Sequence, residues 1–210
     1  ATATAAVNGA AAALSAAIAN GGATYTLTSS PDTATAHIFN APQAYTPGGD
    51  HLVNTLQNDD VLTGTAATDD VLNVTLGNPN ENGVAEITPT LNGIEIINAR
   101  FDATSASMSL DLQDSTGVQQ INVTRIADGR SATVKNINDA GANTLSVTNT
   151  QSPAGNVNFT YLNSALAGTA DKADLTVSNV NINNLVVQSA DGTEGFETIN
   201  LKSSGSANKV

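Results

Sequence analysis

Gly93-Ile-Glu-Ile-Ile-Asn98, Gly117-Val-Gln-Gln-Ile-Asn122 and Gly195-Phe-Glu-Thr-Ile-Asn200 are one phrase written three times with small edits. Looser copies keep its later half, a large aliphatic, then Asn, Ser or Thr, then a second apolar residue: Leu72-Asn-Val74, Leu145-Ser-Val147 and Leu175-Thr-Val177. Aligned on the aliphatic, the copies fall at positions 72, 97, 121, 145, 175 and 199, spaced 25, 24, 24, 30 and 24 residues apart. Self-similarity at a period in this range marks a stack of repeated units, none of which buries its apolar face alone. Within the phrase, apolar and polar residues alternate, as in Ile121-Asn-Val-Thr124. One face of the strand therefore points to a core and the other outward. The glutamate of the phrase becomes Gln119 in the middle copy while the aliphatic persists, so the phrase reads as a structural rung and not as an acid/base motif.

Outward from the phrase, short β-branched runs alternate with Gly, Asn, Asp and Pro: Leu72–Leu76, Glu86–Thr90, Met108–Leu112, Val118–Ile126, Val134–Ile137, Thr144–Thr148, Asn156–Tyr161, Asp174–Ser178 and Asn184–Gln188. Strands at this density predict an all-β chain. With the period, they predict a β-solenoid of about 24-residue repeats; a β-sandwich is the alternative, since it explains the strands but not the spacing. Asn98, Asn122 and Asn200 would then stack into an amide ladder. The glycine that opens each phrase suits a corner needing positive φ or a close backbone approach.

Before the repeat, residues 9–20 form the best helix-former run, with Leu14 and Ile18 one turn apart and Gly21-Gly22 as a stop. The expected organisation is an Ala-rich N-terminal arm or cap over 1–22, a strand (Thr24–Thr28) plus a Pro/Gly-rich linker over 23–57, and a repetitive all-β domain over 58–210. Pro31, Pro42 and Pro47 interrupt the linker, where His37 and His51 read as solvated loop histidines.

Composition narrows the partners. Charged residues make up 12% and aromatics 3%, and Lys+Arg 7 against Asp+Glu 19 give a net charge of -12 with a pI near 4.1. Nucleic acid is not expected, because no basic stripe exists to neutralise phosphates. There is no cysteine, hence no disulfide and no thiolate metal site. No apolar run approaches a membrane span. A polysaccharide-cleaving enzyme is not expected either, since sugar-stacking aromatics are scarce and no carboxylate pair recurs at the phrase.

The most chemical stretch is Asn58-Asp-Asp-Val-Leu-Thr-Gly-Thr65 followed by Thr68-Asp-Asp-Val-Leu72. Asp59, Asp60, Asp69 and Asp70 gather hard oxygens in Thr/Gly-rich turns, which suits Ca2+. The same aspartates could instead cap turns through bonds to backbone N–H groups.

This Asp-Asp run resembles a degenerate glycine/aspartate nonapeptide of RTX-type secreted proteins, and the Gly-x-Glu-x-Ile-Asn phrase resembles those of RTX-related surface-layer proteins and large adhesins of Gram-negative bacteria. The repeated Gly-Gly-x-Gly-x-Asp turn of that family is missing, so isolated calcium sites are expected and not a stacked array. The resemblance implies export, by a type I system, and a place at the cell surface. The open ends of a solenoid add self-association into a head-to-tail fibre or lattice. The expected function is thus a calcium-stabilised structural subunit of a surface layer, filament or adhesin stalk. A calcium-dependent adhesive module that binds cell-surface polysaccharide or another surface is the alternative.

Overall fold

The computed structural model describes residues 23–46, 48–77, 86–150, 153–206 and 208–210. Within them the chain is a β-solenoid of about 6 turns at roughly 25-residue spacing. All strand pairings but one hairpin are parallel, which excludes the antiparallel sandwich. The expected N-terminal helix over 9–20 lies outside the described residues.

The first turns carry β1 (Thr24–Thr26), β2 (Thr33–Thr35) and β3 (Ile38–Ala41), then the antiparallel hairpin of β4 (Gln43–Tyr45) and β5 (Leu52–Asn54). Next come β6 (Val61–Thr63), β7 (Val71–Leu76), β8 (Glu86–Ile87), β9 (Thr90–Asn92) and β10 (Ile96–Phe101). Beyond these lie β11 (Met108–Asp111), β12 (Ser115–Thr116), β13 (Gln120–Ile126), β14 (Ala132–Ile137) and β15 (Thr144–Thr148). The last turns hold β16 (Asn156–Tyr161), a 3-10 turn at Asn163–Leu166, β17 (Lys172–Ser178), β18 (Asn184–Ser189) and β19 (Thr198–Ser204).

The principal sheet runs through all the described turns in the order β1-β3-β7-β10-β13-β15-β17-β19. A four-stranded sheet, β12-β9-β6-β2, flanks its first half, and a five-stranded sheet, β18-β16-β14-β11-β8, flanks the second. Residues 23–57, read from sequence as one strand and a linker, supply β1 to β5, and the prolines sit at corners: Pro42 directly follows β3, and Pro31 comes two residues before β2.

Register makes the core a set of columns. Tyr25, Phe39, Leu72, Ile97, Ile121, Leu145, Leu175 and Leu201 are successive partners in the principal sheet. From Phe39 to Leu175 every member is buried. Each buried aliphatic of this size contributes about 1.5–3 kcal/mol relative to exposure. The neighbouring column, Val74, Ala99, Val123, Val147 and Val177, is buried too. Ile94 and Val118, which follow the phrase glycines Gly93 and Gly117, turn inward in the same way, as does Ala142 after Gly141. Gly93 and Gly117 have φ of 60° and 83°, so the corner is left-handed there, and a Cβ on Gly117 would press on the Gly93 Cα at 3.0 Å. Near the other end the Phe196 and Tyr161 rings pack at right angles, with centroids 5.1 Å apart.

On the outer face the amide ladder forms and reaches further toward the N-terminal end than the phrase foretold. Asn73 donates to Asn40 at 3.1 Å, Asn98 to Asn73 at 2.9 Å, Asn122 to Asn98 at 2.8 Å, and the Ser146 hydroxyl to Asn122 at 2.7 Å. Asn200 is not a member. In the last turn Leu201, not Ile199, lies opposite Leu175, and Asn200 pairs with Asp174, to which it donates at 2.9 Å. The third copy of the phrase is thus displaced by two residues from the register its sequence suggests.

Candidate functional site

The acidic residues singled out by sequence occupy the corners that lead into strands. Asp60 immediately precedes β6 and Asp70 immediately precedes β7, as Asp32 precedes β2 and Glu95 precedes β10. A chain entering a parallel strand leaves amide groups at its corner that no neighbouring strand accepts, and a short acid at that position can accept them. This is why Asp-Asp-Val-Leu recurs: the inner aspartate turns in and the outer one does not.

Asp60 is fully buried. One carboxylate oxygen accepts the Asp32 amide at 2.7 Å and the other the Gln57 amide at 2.8 Å. Burial pushes its carboxyl above the usual range, while these two amides pull it back. Asp32 is tied in the same fashion, accepting the Thr28 amide at 2.7 Å and the Tyr25 hydroxyl at 2.7 Å. That bond to Asp32, with burial, raises the Tyr25 phenol above its ordinary value. Pro89 stands at the equivalent position one turn on, since Val61 pairs with Thr90; it has no carboxylate to accept the Asp60 amide, which donates instead to the Gln57 carbonyl at 3.3 Å.

Asp70 is also fully buried. It accepts the Thr65 amide at 2.7 Å and the Thr65 hydroxyl at 2.9 Å, and its Oδ1 lies 2.8 Å from Nδ1 of His37. The Asp70 amide in turn donates to the Glu95 carboxylate, one turn along, at 2.9 Å. Glu197 repeats this with the Asp171 amide at 2.6 Å. The glutamate of the phrase therefore has a structural role, which is to accept the amide of the corner before it.

The outer members stand in solvent. Asp59 is exposed, and the Asp69 side chain is 71% exposed with Oδ1 4.0 Å from the His37 ring. The structure thus separates the four predicted ligands into two buried caps and two exposed carboxylates. Among the described residues no group of three or more His, Asp or Glu side chains converges in the manner of a metal centre. Asp32, His37, Thr65 and Glu95 belong to the corner network although sequence reasoning gave them no part in it. The signal available was positional: each acid directly precedes a β-branched or aliphatic run. His37, expected as a solvated loop residue, is instead half-buried beside Asp70.

A second feature lies at the end of the principal sheet. β19 has β17 as its only sheet partner among the described residues, and all seven of its residues are exposed. Ile199 and Leu201 lie opposite Ala173 and Leu175, on the core side, yet are 43% and 62% exposed. Among the described residues no helix is long and apolar enough to cross a membrane. The chain matches no known family model, and no curated protein or solved structure matches it.

Proposed function

We propose that the chain is a structural segment of an extracellular self-assembling surface structure, a surface layer, filament or adhesin stalk, and that it is not an enzyme. The observation that carries this reading is the column from Phe39 to Leu175, one residue per turn and buried at every turn, which makes an extended, regular stack. The recurring carboxylates support a passive role, because Asp60, Asp70 and Glu95 hold backbone amides and are not grouped around a cleft.

In this reading calcium is taken by the outer carboxylates, Asp59 and Asp69, whose oxygens are exposed, and not by the buried pair. Calcium that binds only the folded chain at a hundredfold excess over its Kd adds about 2.7 kcal/mol. For a chain of this size that corresponds to a rise of roughly 5–10 °C in Tm. Melting curves with calcium and after exhaustive chelation test it, alongside electron micrographs of both samples. A rise abolished in the Asp59→Asn, Asp69→Asn double variant supports the calcium assignment, and superimposable curves sink it. Fibres or sheets support the structural reading; a strictly monomeric chain at high concentration in both samples refutes it.

A further inference from the structure

We propose that the outer face of the principal sheet, where β3, β7, β10 and β13 lie side by side, is a binding groove for an acidic polysaccharide. In it the hydroxyls of a chain of sugar rings meet the side-chain amides of Asn73 and Asn98, and a sugar carboxylate meets Arg100. This goes beyond the structural reading above, because it holds whether or not the chain assembles.

The groove has a volume of about 610 Å³, with the amide row of Asn40, Asn73 and Asn98 along it and Thr75, Arg100 and Thr124 beside that row. Binding sites for small molecules and sugar rings fall in the range of about 300–1,000 Å³. It lies within the sheet and not at its end, since β3, β7, β10 and β13 are each paired on both sides. A carboxamide carries two N–H donors and an oxygen with two lone pairs. The ladder takes one donor and one lone pair from Asn73 and the same from Asn98, so each keeps one of both for a ligand. Sugar hydroxyls donate and accept alike and match such mixed positions, whereas an apolar ligand would leave them unpaired. The amides recur at the strand spacing of about 4.7–4.9 Å. An extended chain of rings laid along the solenoid axis therefore meets one amide after another.

A break in the register supplies the charge. Ale pairing of β10 with β13 shifts between Ala99 and Arg100: Ala99 lies opposite Val123 but Arg100 lies opposite Arg125, which leaves Thr124 as an extra residue, a β-bulge. The repeat does not require it, because β10 meets β7 over six consecutive pairs with no shift. Bulges re-aim side chains and are over-represented beside functional sites. This one sets two arginines directly opposite each other, which like charges disfavour. Asp102 holds both: one of its oxygens accepts Nη2 of Arg100 at 2.7 Å and Nε at 3.1 Å, and the other accepts Nε of Arg125 at 2.8 Å. Two guanidiniums against one carboxylate leave one positive charge, on a chain whose net charge is -12. The Arg100 side chain is 45% exposed, and its Nη1 donors are not spent on Asp102. A single cation beside amides and hydroxyls fits a ligand whose carboxylates are set among neutral groups. A nucleic acid or a phosphate-dense surface brings a charge at every repeat and meets the negative field of the rest of the chain. Hydrogen bonds along an extended row, with one ion pair, replace the aromatic stacking that this chain lacks.

The test is titration calorimetry with chemical-shift mapping on the full chain, in chelator so that calcium does not bridge the ligand to Asp59 or Asp69. The probes are short oligosaccharides of hyaluronan and of galacturonan, the methyl esters of both, and an oligoglutamate of similar charge. The acidic sugars should bind, with the largest shifts at the side-chain amides of Asn73 and Asn98 and at Nε of Arg100. Esterification should weaken binding by about tenfold or more, the scale of a lost charge-assisted contact. Arg100→Gln should weaken the acids by the same factor and leave the esters unchanged, as expected when one contact is removed from either side. Lys172→Gln, exposed on β17 of the same sheet, should leave every probe unchanged. The ester comparison uses the wild-type chain, so it decides the matter even where Arg100→Gln fails to fold. Several results would each overturn the inference: no binding of either acidic sugar at millimolar concentration, shifts centred on another face, esters that bind as well as the acids, or an equal loss in Lys172→Gln. Oligoglutamate binding as tightly as the sugars would also overturn it, since the groove would then read carboxylate alone. None of these results bears on assembly, which the micrographs test separately.

Discussion

Replacing Glu95 separates a capping role from an ionic or metal-binding one. Its carboxylate accepts the Asp70 amide at 2.9 Å, across the step from one turn to the next. Its backbone carbonyl separately accepts the amides of Gln119 and Gln120 at 2.9 Å each, and substitution leaves those bonds intact. In Glu95→Ala the Asp70 N–H, on a fully buried residue, loses its acceptor, at a cost of about 1–3 kcal/mol. Glu95→Gln keeps an oxygen at the same reach. It forfeits only the difference between a charged and a neutral acceptor, about 1 kcal/mol from bonds worth roughly 1.5–3 and 0.5–1.5 kcal/mol. Urea unfolding of the three proteins in chelator, with the slope m unchanged, reads these differences directly. Expressed in Tm, each kcal/mol is about 2–4 °C for a chain of this length. A Gln variant as damaged as the Ala variant would refute the argument, because it would make the charge and not the acceptor essential. An Ala variant within about 0.5 kcal/mol of wild type, the range of inconsequential surface changes, would refute it from the other side.

Other outcomes follow from the same geometry. Ile97→Ala, at a fully buried position between Leu72 and Ile121, should cost about 2–5 kcal/mol in chemical denaturation, whereas Leu201→Ala on the same column should stay within about 0.5 kcal/mol when measured at concentrations below assembly. Gly64→Ala should destabilise by about 1–3 kcal/mol or more, since a Cβ there would run into the Gly93 carbonyl and the Asp70 carboxylate; a wild-type melting curve would count against the close packing of these two corners. Burial alone would raise the Asp102 carboxyl, but the bonds and charges of Arg100 and Arg125 outweigh it and hold it below the ordinary range. Its stabilising contribution is therefore present above the unfolded value of about 4 and is lost as pH falls through the lower folded value, so Asp102→Asn should flatten the acid side of the stability profile below about pH 4.

The repeat was legible because its information is redundant. Ile97, Ile121 and Leu145 occupy one column at constant spacing, and strands such as Thr144–Thr148 and Asn156–Tyr161 fall where the alternation and the flanking turn residues place them. The displacement of the last copy was not legible, for a physical reason. A strand's faces alternate with period two, so a slip of two residues keeps every inward side chain inward. Ile199 and Leu201 are equally good candidates to lie over Leu175, and only the pairing of seven consecutive residues with β17 decides between them. Gly195 shows the same divergence, since it has neither the positive φ of Gly93 and Gly117 nor a close neighbour. Among the site residues, Asp60 and Asp70 were found, but their role depends on which amides approach them. Those amides belong to Asp32, Gln57 and Thr65, and no pattern in the sequence links Asp32 to a residue 28 positions away. The first turns were obscured by their prolines, which mark corners here and not a linker.

The amide ladder runs along the solenoid axis, in the direction of the interstrand hydrogen bonds, while the strands lie across it. A pull applied along that axis therefore loads the turns in series: each carries the whole force, and the ladder bears it beside the backbone from Asn40 to Ser146. Elements in series fail at the weakest link. Among the described residues of the principal sheet that link is the three-pair contact of β1 with β3, against seven pairs between β17 and β19. Under tension the described turns should thus come apart one at a time from the β1 side, yielding length gradually instead of snapping through the middle.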